Sequence, residues 1–223
     1  MLKENELNCA LKADYDERFA ALFEYFHRNP ELSIAEVETP ARMAAELRGA
    51  GFKATENVGG TGVVALLENG EGPTVMMHPD MDGLPIEEKP GLSNASKKQQ
   101  QSPITKKTVF TMQACGLDVH ITNLVGTARR MIAMKDKWDG TLLLIVQPRE
   151  ECLIGVKATK AHKLWERFGQ PDFASAFHVS ASPIADLINV SEGSSFAGAD
   201  TVDFIIHGVG AHGASPHRGK DPI

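Results

Sequence analysis

A chain of 223 residues, 42% hydrophobic and 23% charged, has room for one well-buried core and the start of a second domain. Its net charge of −6 argues against nucleic acid as a partner, because phosphate binding calls for a basic surface. No apolar stretch has the length of a signal-peptide core or a membrane span, and the three scattered cysteines (Cys9, Cys115, Cys152) form no disulfide framework. The expectation is a cytoplasmic protein with no membrane partner.

In chain order, Phe19, Leu22, Phe23 and Phe26 recur at helical spacing and predict a helix closed by Asn29-Pro30. A second helix is predicted to open at Thr39-Pro40 with Thr39 as its N-cap, and to end at Gly49 and Gly51. Short apolar runs at Val63 to Leu67, Thr74 to Met77 and Thr141 to Gln147 predict strands, the last covered on both faces. The polar stretch Ser96 to Thr108 reads as a solvated loop. Between Asp118 and Met134 the stripe Ile121, Leu124, Val125, Ala128, Met131 and Ile132 predicts a strong helix. Strands alternating with helices give an α/β class with a mixed sheet flanked by helices. After Ser194 the pattern shifts. Thr201 to His207 alternates as a half-buried strand, and the chain ends before a new core can close, so residues 1–193 read as one domain and 194–223 as a fragment of the next.

Several clusters could carry chemistry. Cys115 precedes the predicted Asp118 helix, whose N-terminus would favour a thiolate; on this segment alone, a small buried cysteine packing beside Gly116 is the preferred reading. Glu150 and Glu151 follow a buried strand, where α/β sites gather, and two carboxylates there can divide cation binding from proton transfer. A solvated turn is the alternative. His178 ends a strand-like run and is either a ligand or an edge histidine. His78 and Asp80 lie two residues apart on an extended chain, so Asp80 could orient His78. Gly208 to Gly213 matches a dinucleotide fingerprint only formally, because Pro216 follows where the phosphate-binding helix should run.

Seven segments in register resemble the N-acyl-amino-acid amidohydrolases, including hippurate hydrolases and plant indoleacetyl-amino-acid hydrolases of the aminoacylase and carboxypeptidase G superfamily. They are HRNPELS (His27 to Ser33), GGTGVVA (Gly59 to Ala65), DMDGLPIEE (Asp80 to Glu88), QACGLDVH, QPREE, FHVS and GAHGASPH. The resemblance implies a zinc-peptidase-like catalytic domain with an inserted α+β lid that also dimerises. It also implies up to two divalent metals (zinc, manganese or similar) and a small N-acyl amino acid or amide substrate. Carried over, Cys115 resembles a metal-bridging thiolate, Glu151 and His178 metal ligands, Glu150 the general base, and His212 the lid histidine that steadies the substrate.

The departures are specific. Gln113 and Leu117 stand where the family motif has histidines, and Leu117 occupies a ligand position; Arg149 replaces a small residue, and the pattern from Cys152 to Leu164 is eroded. A last ligand histidine is expected beyond Ile223. More distant superfamily members use a histidine at the place of His78, followed by an aspartate, so His78 is a further candidate ligand, with Asp80 counted in the catalytic set. Two readings follow: a metal-dependent amidohydrolase, impaired in this chain, or an inactive truncated relative that dimerises or binds.

Overall fold

The alternation of side chains along the central strands decides the layering. In a computed structural model, which describes residues 10, 12–89, 91–182, 184, 187–194, 197–198, 200, 202 and 204–221, the central strand β6 (Gly140–Val146) is buried along nearly its whole length. Leu142, Leu144 and Val146 face one core and Leu143 and Ile145 the other, as a period of two requires. The neighbouring β2 (Gly62–Asn69) splits the same way, Val63, Ala65 and Leu67 against Val64 and Leu66.

The first core is covered by three helices. A π-helical turn, Tyr15–Phe19, leads into α1 (Ala20–Arg28), followed by α2 (Glu38–Gly49) and α3 (Leu117–Ala133). Phe19, Leu22, Phe26, Met43, Leu47, Ile121, Leu124 and Val125 are their buried contributions. The second face is covered by the short helices α4 (Gly155–Ala161) and α5 (Leu164–Phe168), with Leu164, Trp165 and Phe168 on the sheet. The five-stranded sheet runs β1-β2-β6-β3-β7, with β1 at Lys53–Val58, β3 at Thr74–Met77 and β7 at Phe173–Ser175. The pairs β1–β2 and β2–β6 are antiparallel, whereas β6–β3 and β3–β7 are parallel. The three parallel strands therefore deliver their carboxyl ends to one edge of the sheet.

Four expectations are corrected. The helix α2 opens at Glu38, and Thr39 is not its cap. The buried carboxylate of Glu31 accepts the N–H groups of Val37, Glu38 and Thr39 at 3.0, 3.1 and 2.8 Å and so caps the helix from outside. The stretch Ser96 to Thr108 is not a plain loop. It contains β4 (Gln99–Gln101) paired with β5 (Thr108–Phe110), and the Gln100 amide holds Leu32 N–H and the Ala35 carbonyl. No strand forms over the described residues of 201–207, which are exposed; Thr201 and Asp203 lie outside the described residues, as does Cys9. A lone alternating segment has no partner for its backbone groups. The fourth correction concerns the Cys115 thiol, below. By packing, the chain forms two units, Met1–Ser180 and Ala181–Ile223. Among the described residues no helix is long and apolar enough to cross a membrane.

Candidate active site

The carboxyl ends of β3, β6 and β7 and the N-terminus of α3 bring most of the candidate residues to one edge. His78, Asp80 and Asp82 leave β3; Glu150 and Glu151 follow β6; His178 follows β7. A bridge between Asp80 and Gln147 and the bond from Gln147 N–H to the Pro79 carbonyl (2.9 Å) hold the first two exits side by side. Cys115 arrives on the turn before α3. That turn depends on Gly116, whose φ of +80° is left-handed and whose missing Cβ leaves room for Val179, since a Cβ there would lie 2.5 Å from a Val179 methyl.

Cys115 and His178 meet directly, Sγ to Nε2 at 3.3 Å. The other ring nitrogen, Nδ1, lies 2.6 Å from the Val179 carbonyl, which can only accept, so Nδ1 carries the proton and Nε2 faces the thiol as acceptor. The thiol is pushed up to about 11 by burial and by the charges of Glu151 and Glu150. The expectation that the helix N-terminus favours a thiolate is therefore corrected: burial and the neighbouring carboxylates together outweigh the helix end. Asp80 is pushed up to about 8 by burial and by Glu150, Asp82 and Glu151. Glu150 is raised by burial and Asp82, and Glu151 by burial, Glu150 and Asp82. Buried oxygens of Asp80 and Glu151 have no hydrogen-bond partner.

His78 Nε2 lies 2.7 Å from Gln147 Oε1 and 3.4 Å from Asp80 Oδ1, so its protonated nitrogen is turned to the strand exit. Gln113 is buried, its amide donating to the Met81 carbonyl at 3.2 Å, and Leu117 is completely buried. His212 belongs to the second unit, where its Nδ1 accepts the Ala214 N–H at 3.1 Å.

Four residues outside the candidate set support this edge. Asp82, completely buried, accepts the N–H groups of Glu150 and Glu151 at 2.9 and 3.1 Å. Glu36, also completely buried, accepts the Arg149 N–H at 2.9 Å. His120, on the first turn of α3, accepts the Val179 N–H at 3.0 Å, and its ring meets that of His178 edge to face at 4.5 Å. Burial and His178 lower its pKa to about 4, which keeps that ring neutral and its lone pair available. His27 joins two buried carboxylates, Asp118 at 2.7 Å and Glu88 at 3.2 Å, and so ties α1 to the start of α3. His27, Asp82 and His120 sit within the seven segments; their signal was the motif itself, whereas their partners lie far away in sequence.

The donor types (thiol, imidazole, carboxylate) suit a divalent ion, and the buried oxygens of Asp80 and Glu151 that accept no hydrogen bond are what a cation would neutralise. Yet among the described residues no three His, Cys, Asp or Glu side chains close around a point that could hold a metal. Leucine at 117 supplies no lone pair, and the thiol holds its proton. As arranged, the residues present do not form the two-metal cradle that the resemblance implies. A cavity of about 560 Å³ opens instead between α1 and α3, lined by Phe19, Phe23, Val119, Gly126 and Met131 among others, and none of the candidate residues borders it.

Comparison with known proteins gives concordant matches. The family model described as peptidase family M20/M25/M40 matches residues 76–216. A hippurate hydrolase from Campylobacter jejuni is 32% identical over 211 residues, covering 94% of this chain and 52% of that protein. An IAA-amino acid hydrolase (ILR1-like 2) from Arabidopsis thaliana is 35% identical, covering 88% of this chain and 42% of its own. The chain thus spans about half the length of the curated relatives it matches. Among solved structures, a dinuclear metal binding peptidase of the M20 family from Bacillus subtilis superposes with a TM-score of 0.66 at 27% identity, covering 76% of this chain and 44% of that one.

Proposed function

Because the chain belongs to peptidase family M20/M25/M40, we propose that it carries the frame of a metal-dependent amidohydrolase for N-acyl or amino-acyl amide bonds, with its metal binding impaired. The observation that carries the reading is the gathering of Cys115, Glu150, Glu151 and His178 at one sheet edge, around a 3.3 Å thiol–imidazole contact. In such enzymes a divalent ion lowers the pKa of a bound water and polarises the amide carbonyl. Here Glu150 is the proton carrier: its raised pKa suits a group that takes a proton from water and returns it to the leaving amine. Asp80 belongs to the same carboxylate set and faces His78. Glu151, His178 and Cys115 are the proposed ligands, with His78 a further one if its ring turns away from Gln147. The ions are zinc, manganese or similar.

Leu117 is the reason for calling the centre impaired, and it equally favours an inactive relative that binds or dimerises. We also assign residues 1–193 to the catalytic domain and 194–223 to the beginning of an α+β lid, with His212 contacting substrate and the lid forming a homodimer. A cytoplasmic location completes the proposal.

Metal analysis with a hippurate-type assay tests it. Leu117→His is expected to tighten zinc or cobalt binding by at least about tenfold, the scale of losing even an outer-sphere partner. Any turnover of the parent should vanish in Glu150→Gln. Full metal loading and brisk turnover by the parent would remove the impairment; no binding by parent or Leu117→His would remove the metallohydrolase reading. If His78→Ala binds metal as tightly as the parent, His78 is not a ligand.

A further inference from the structure

We propose that Glu36 and Asp82 are positioning residues that together fix the turn carrying Glu150 and Glu151, by taking up three consecutive backbone N–H groups. The inference deepens the hydrolase reading above, since it assigns to two unclaimed residues the placement of its proton carrier. Arg149 N–H donates to Glu36 Oε1 at 2.9 Å, Glu150 N–H to Asp82 Oδ1 at 2.9 Å, and Glu151 N–H to Asp82 Oδ2 at 3.1 Å. Both acceptors are completely buried and come from remote parts of the chain, Glu36 from before α2 and Asp82 from the loop after β3.

The turn needs such fixing. Arg149 has a φ of +59°, a left-handed conformation that a side chain with a Cβ rarely adopts unless its surroundings impose it. Its guanidinium lies over Gly60, where any Cβ would stand 2.2 Å from Nη2. The second oxygen of Glu36 accepts the Thr61 hydroxyl at 3.0 Å, and the Ser33 hydroxyl donates to Asp82 Oδ2. One buried carboxylate thus ties the turn to the β1–β2 loop, and the other ties it to the segment after α1. A carboxylate that accepts from backbone amides in a dry setting makes stronger bonds than a neutral acceptor would.

The two acceptors differ in a way that can be tested. At Glu36, besides its own backbone N–H, one partner is the Arg149 N–H and the other a hydroxyl, which can donate or accept; a glutamine with its oxygen toward Arg149 therefore keeps both of these, because Thr61 can reverse its role. At Asp82 both oxygens take backbone N–H groups, which cannot reverse. An asparagine keeps one bond and turns its own N–H₂ against the second amide.

Amide hydrogen exchange at residues 149–151, read by NMR on the full chain, distinguishes these cases. Glu36→Gln should leave exchange at Arg149 within about twofold of the parent, whereas Glu36→Ala accelerates it by about tenfold or more. Asp82→Asn should accelerate exchange at Glu150 or Glu151 by about tenfold to a hundredfold and shift that amide proton upfield, with the distant Leu143 and Ile145 amides unchanged. If Asp82→Asn leaves both amides protected, or Glu36→Gln behaves like Glu36→Ala, the assignment falls. If Asp82→Asn exposes Leu143 and Ile145 equally, its role is general stability and the assignment again falls. Exchange is read without substrate or metal, so a failure of both the parent and Leu117→His to bind metal would count against the hydrolase reading alone.

Discussion

Asp80 is partly buried among three other carboxylates, Glu150, Asp82 and Glu151, and that crowding has a measurable consequence. Its folded pKa of about 8 lies above the ordinary 3.8, so the folded state holds a proton that the unfolded state releases between those values. The stability Asp80 contributes is then fully present below its unfolded pKa and is lost as pH rises through about 8. Metal-free protein should therefore melt lower near about pH 9 than near about pH 5, and Asp80→Asn should shrink that difference. Thermal melts at the two pH values check it; an unchanged gap in Asp80→Asn would place the sensitivity elsewhere. At this scale the sequence made Glu150, Glu151, Cys115 and His178 legible because each follows a strand or precedes a helix. Asp82 and His120 lay inside motifs and Glu36 in none, but what the three do was not legible, because their roles arise from backbone groups 59 to 113 positions away.

Glu31 shows how an element can be specified from outside itself. It is buried, and its two oxygens take up three free N–H groups at the start of α2, a task that local sequence would assign to Thr39. Glu31→Ala should cost about 1–2 kcal/mol, the range of a lost helix cap, while Thr39→Ala should cost less at the cap because its hydroxyl does no capping. Denaturant unfolding of the two variants decides which residue caps. The hairpin β4–β5 belongs to the same class of surprise. Its first strand is three glutamines, and the grip of the Gln100 side chain on Leu32 and Ala35, with Lys98 beside Glu31 and Glu38, draws it against the domain.

In the whole molecule, the two hydrophobic cores lie entirely within Met1–Ser180, while Ile188, Val190, Phe204 and Ile205 of the second unit are exposed. Residues 1–180 made alone should fold cooperatively with a Tm within a few degrees of the full chain, since both hydrophobic cores lie within them. A broad, non-cooperative melt would show that the second unit supplies stability to the first.

The sequence by itself determined the α/β class, the doubly covered central strand and the family, because these rest on local periodicity and on motifs that keep their order along the chain. It also exposed the departure at Leu117, a difference in residue type at a motif position. The tertiary structure alone decided the protonation of the site and the shape of its turn. Whether Cys115 is a thiol or a thiolate depends on its burial and on Glu151 and Glu150 brought beside it from another strand, and together these prevail over the local helix end. The left-handed Arg149 is held by a carboxylate 113 residues away, a contact that no window of sequence contains.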